Sequence, residues 1–178
     1  MNGKSSPAGW SRLNVAMHWL IVVLIIIQYF ESEFMASLWD GTLEGRAVPT
    51  ATTILGWTHI VLGSAILVAA AIRLLDRFFI HGRPPHSEGE PDWAMWLAKF
   101  THALLYVVLI LMPVVGLTAW FTGNDTLAGY HTVLWTPLLV LIGLHIAGAL
   151  AQHFVFRSDA LRRMMPIMRS PSSVESAE

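Results

Sequence analysis

Two of the eight histidines in this 178-residue chain, His131 and His145, stand in one apolar run, Tyr130–Phe156. They are fourteen residues apart. At about 100° per residue this spacing is four turns less about 40°, so both imidazoles leave nearly the same face, about 21 Å apart along the axis. A single metal ion draws its ligands to about 2 Å from itself. Rings this far apart suit two separate cofactors better than one ion. The run is long enough to cross a bilayer as one helix.

The same spacing recurs. His59 and Arg73 are fourteen residues apart, as are His102 and Gly116. An arginine deep in an apolar helix needs an anion beside it. Gly116, and Gly63 one turn beyond His59, would leave room for a flat macrocycle. Small residues also simply let helices approach one another.

Four helices must position these side chains. Apolar periodicity and turn residues put them at about 11–34, 53–79, 93–121 and 131–156, in one all-α membrane domain with a polar tail over 157–178. Glu31–Thr52 reads as a loop, His81–Asp92 as a charged linker and Thr122–Gly129 as a tight turn. Pro113 should kink the third helix, and Pro137 should bend the fourth between its two histidines. The chain is 54% apolar and 13% charged, which excludes an ordinary soluble domain. A net charge of −1 argues against nucleic acid as a partner. With no cysteine there is no disulfide, no thiolate-held cluster and no covalently attached haem. The first apolar run carries a histidine and lacks an A-x-A site, so it reads as a retained helix and not a signal peptide.

Lysine and arginine set the orientation. Lys4 and Arg12 lie in the N-terminal arm and the start of the first helix, Arg73, Arg77, Arg83 and Lys99 surround the linker, and Arg157, Arg162, Arg163 and Arg169 follow the last helix. Both termini and the linker are therefore expected in the cytoplasm. His18 and His145 then fall at an inner level, and His59 and His131 at an outer one. Each pair could hold one b-type haem through two axial imidazoles, with Arg73 facing a propionate. His102 also sits at the inner level and competes with His18 as a ligand, although a structural or quinone-contacting role suits it better. Ser11 and Gln152 lie about two turns, and Asn14 about one turn, from the inner histidines on nearly the same faces, with Arg12 beside them. These polar groups fit either interfacial solvation or a quinone site.

The local sequences SRL and MHWL around His18, GWTHIVLG around His59, VAAAIRLL ending the second helix, MPVVGL, GLHIAGALAQHF and DALRRMMP resemble the bacterial cytochrome b561 family. The likeness runs from about Ser11 to Pro166. It implies a four-helix inner-membrane cytochrome with two haems b, held by His18, His59, His131 and His145. It also implies electron exchange with ubiquinone, for which one activity in the family is superoxide:ubiquinone oxidoreduction. The alternative is an electron-relaying membrane anchor for a partner dehydrogenase or a soluble carrier. A histidine-lined metal transporter fits poorly, because its ligands should converge on one midplane site. The outer segments carry Glu31, Glu33, Asp40, Glu44 and Asp125 against Arg46 alone, an unfavourable surface for capturing superoxide.

Overall fold

Long helices dominate the chain because little interrupts them. In the computed structural model, which describes residues 10–80, 91–158 and 160–165, α1 spans Arg12–Glu44 and α2 Thr50–Leu75. A π-helical turn, Asp76–Ile80, extends α2. Then come α3 (Asp92–Thr122), α4 (Asp125–Val133), α5 (Trp135–Phe154) and the short α6 (Ala160–Met164). Four stretches are long and apolar enough to cross a membrane: α1, α2 with its π turn, α3, and α4 with α5. The N-terminal arm, the linker carrying His81, Arg83 and His86, and the end of the tail lie outside the described residues.

Three sequence expectations change. Glu31–Thr52 is not a loop up to Glu44, because α1 runs ten residues past the expected end at Phe34. At about 1.5 Å per residue α1 is about 50 Å long, well over the thickness of the hydrocarbon core. It stops where Gly45 turns left-handed (φ 64°) and donates its N–H to the Gly41 carbonyl. The turn at Thr122–Gly129 shrinks to Gly123 and Asn124. Asn124 Oδ1 accepts the Leu127 N–H at 3.1 Å and so starts α4 at once. The fourth span is not one helix either, since it breaks at Leu134, between His131 and His145. Pro137 has no N–H to give to the carbonyl four residues back, and the break falls in that turn. Pro113, by contrast, stays within an unbroken α3.

α1 and α2 form an antiparallel hairpin fastened at several heights. Asn14 reaches Arg73 and Asp76, Gln28 reaches His59, and Glu31 reaches Thr58. The buried core contains Ile21 and Leu24 from α1, Ile66, Ala69 and Ala70 from α2, Val108 and Leu109 from α3, and Leu138 and Leu141 from α5. On each long helix these positions fall midway between the inner and outer histidine levels. The core is therefore an apolar septum across the middle of the bundle.

Candidate functional site

Above the septum, α2 and α4 bring His59 and His131 together, with ring centroids 6.1 Å apart and planes at 79°. The His131 Nδ1–H donates to the Met112 carbonyl at 2.8 Å, which leaves Nε2 free to bind a metal. Gly116 makes this contact possible: a Cβ there would come within 2.7 Å of His131 Nδ1. Gly116 and Gly63, the two glycines expected to leave room for a macrocycle, both line the cavity beside the two histidines. Gln28 Nε2 donates to the His59 backbone carbonyl at 2.7 Å, while Gln28 Oε1 and His59 Nδ1 are buried without a partner. A cavity of about 660 Å³ opens beside both histidines and extends along α1 as far as Asp40. Trp39 and Trp120 line it, with ring centroids 6.1 Å apart.

Below the septum, His18 of α1 and His145 of α5 repeat the arrangement, 6.1 Å apart with planes at 69°. His102 joins them from α3, its centroid 4.9 Å from that of His145. Its Nδ1–H donates to the Ala98 carbonyl at 2.6 Å, so its Nε2 is also free. Arg73 Nη1 donates to His18 Nδ1 at 3.1 Å, and Arg73 Nε donates to Asn14 Oδ1 at 3.3 Å. A guanidinium only donates, so His18 Nδ1 accepts here and its proton sits on Nε2.

The residues suggested for a quinone site separate. Asn14 is fully buried (0% exposed), and its Nδ2 donates to Asp76 Oδ2 and to the Arg73 carbonyl, each at 3.2 Å. Ser11 Oγ donates to the same carboxylate oxygen at 2.6 Å. These two fasten α1 to α2. Arg12 is exposed and Gln152 half-buried, and no hydrogen bond joins Gln152 to the other three. Sequence reasoning missed Asp76, only 1% exposed, which holds both Ser11 and Asn14. An acid three residues after an inward-facing arginine was the available signal.

Two imidazoles bound on opposite sides of one metal, each nitrogen about 2 Å away, put the ring centroids about 6 Å apart. Both pairs meet that spacing, and His102 with His145 falls short of it. Among the described residues no group of three or more histidine, cysteine or acidic side chains is gathered to hold a bare ion. Paired axial imidazoles fit an iron that brings its own equatorial ligands, as in haem.

The comparisons with known proteins agree with this chemistry. The model for prokaryotic cytochrome b561 matches residues 9–166. A cytochrome b562 from Cereibacter sphaeroides is 30% identical over 157 residues, 88% of this chain and 95% of the relative. A probable superoxide oxidase CybB from Yersinia pestis is 28% identical, covering 90% and 97%. A cytochrome b561 homolog from Escherichia coli is 21% identical, covering 88% and 97%. With four spans long and apolar enough to cross a membrane and paired imidazoles, this chain belongs to the prokaryotic cytochrome b561 family of haem b-binding membrane electron carriers.

Proposed function

We propose that the chain holds two haems b and carries electrons between the periplasmic side of a bacterial inner membrane and ubiquinone. His59 and His131 would bind the outer haem, and His18 and His145 the inner one. The carrying observation is the two equal histidine separations, 6.1 Å each, on opposite sides of the apolar septum. Each bound haem supplies a one-electron couple within the low-dielectric interior. His131 is aimed by the Met112 carbonyl. His18 needs its proton on Nδ1 to ligate through Nε2, so Arg73 must leave that nitrogen, which frees its guanidinium for a propionate. His102 sits beside the inner pair as a neighbour of His145. Arg12 and Gln152 remain the accessible quinone contacts, because Ser11 and Asn14 are engaged by Asp76. The basic residues at and before the start of α1, around the linker and after α5 orient both termini toward the cytoplasm.

The deciding experiment is a haem count with a reduced-minus-oxidised spectrum on the purified protein. Two haems b are expected. His145→Ala should lose the inner haem and His131→Ala the outer one. A single haem in the wild type would refute the reading, and loss of a haem in His102→Ala but not in His18→Ala would refute the inner pairing.

The electron donor admits two readings. The Yersinia pestis relative's name favours superoxide:ubiquinone oxidoreduction. The acidic outer end favours a relay to or from a partner protein.

A further inference from the structure

The cavity beside His59 and His131 reaches the surface among carboxylates. Glu33 and Asp40 of α1 and Asp125 of α4 line it, and all three are exposed. Asp40 lies twelve residues beyond Gln28, the α1 residue that contacts His59, or about 18 Å along the helix. Nothing basic balances these acids. Between Glu31 and Ile72 the single lysine or arginine is Arg46, and there is none between Phe100 and Phe156. Arg46 is ion-paired with Glu44, two residues away. The walls near the mouth are aromatic, with the Trp39 Nε1–H donating to Asp125 Oδ1 at 3.3 Å.

We infer that this mouth is the docking surface for a soluble electron-carrier protein with a lysine- or arginine-rich face around its own redox centre. The inference rests on His59 and His131 holding the outer haem. A cationic face meets three uncompensated carboxylates, so long-range attraction raises the encounter rate and orients the carrier over the opening. The reaction is a one-electron exchange: the outer haem iron goes from ferrous to ferric as the carrier's centre is reduced by one electron, or the reverse. No atom is transferred. A small anion approaching the same mouth meets the opposite field.

The test mixes the reduced holoprotein in stopped flow with an oxidised lysine-rich c-type cytochrome, and separately with ferricyanide, across a salt series. The cytochrome reaction should slow as salt rises, and the ferricyanide reaction should not. The Glu33→Gln, Asp40→Asn, Asp125→Asn triple variant should lower the low-salt cytochrome rate about tenfold and flatten its salt dependence, with both haem spectra unchanged. Asn at 125 keeps an acceptor for Trp39. A cytochrome rate that is flat or rises with salt in the wild type overturns the inference, as does a triple variant with wild-type salt dependence. If the triple variant loses its haem spectrum, the wild-type salt series decides alone. Binding of the same cytochrome to the protein in neutral-lipid nanodiscs needs no haem. Salt-sensitive binding there supports the surface even if the haem count fails, and absent binding refutes it.

Discussion

The position of His131 depends on an atom that Gly116 lacks. Its Nδ1 lies 2.8 Å from the Met112 carbonyl, and a Cβ at residue 116 would stand 2.7 Å from that nitrogen. The three atoms nearest to that Cβ all belong to the His131 ring, so it is the ring that must move. Gly116→Ala should therefore push His131 off the carbonyl, at an overpacking cost of about 1–3 kcal/mol. The expected result is loss of the outer haem with the inner haem retained, read from haem content and the reduced spectrum. Full retention of both haems in that variant would show that His131 is aimed by something else. At this scale the sequence set His18 beside His145 and His59 beside His131, rings that the structure holds 6.1 Å apart in each case, and was silent about what orients them. Fourteen-residue spacing fixes face and depth. A hydrogen bond from His131 to a carbonyl on α3 is set by tertiary packing.

At the scale of elements, the same contrast has a physical cause. The four spans were legible because about twenty apolar residues mark a membrane helix whatever its neighbours do. The ends of α1 and α4 were not, because Glu31–Glu44 has polar residues on a helix already nucleated. A long helix adds a residue at little cost once it exists. Leu38, buried at 6%, then continues the α1–α2 contact beyond the apolar stretch. Ser11 and Asn14, expected as quinone contacts, bond Asp76, and polarity alone could not tell an open site from a helix clamp. Asn14→Ala tests the clamp. It removes hydrogen bonds to the Asp76 carboxylate and the Arg73 carbonyl in a buried setting, so the α1–α2 hairpin should lose about 2–3 kcal/mol. A lower melting temperature in detergent with normal quinone-driven reoxidation is the expected result. An unchanged melting temperature with impaired reoxidation would return Asn14 to the quinone site.

Across the whole molecule, charge and the two histidine pairs are arranged along one axis. Arg12, Arg73, Arg77, Lys99, Arg157, Arg162 and Arg163 lie toward the end that holds His18 and His145, and Glu33, Asp40, Glu44 and Asp125 toward the end that holds His59 and His131, with Arg46. The septum of Ile21, Leu24, Ile66, Ala69, Ala70, Val108, Leu109, Leu138 and Leu141 separates the two histidine levels. Superoxide, arriving from the outer side, would approach against the field of those carboxylates. Repulsion between like charges at an exposed surface lowers the encounter rate, and added salt relieves it within a Debye length of about 8–10 Å. Superoxide-driven reduction of the outer haem should therefore run well below the diffusional limit and rise or stay level as salt increases. The Glu33→Gln, Asp40→Asn, Asp125→Asn triple variant should speed this reaction while it slows that of a cationic carrier. Stopped-flow reduction by superoxide across a salt series measures both. Near-diffusional rates that fall steeply with salt would mean that a basic approach path serves the outer haem. Superoxide oxidation would then replace carrier docking as the reading of the outer face.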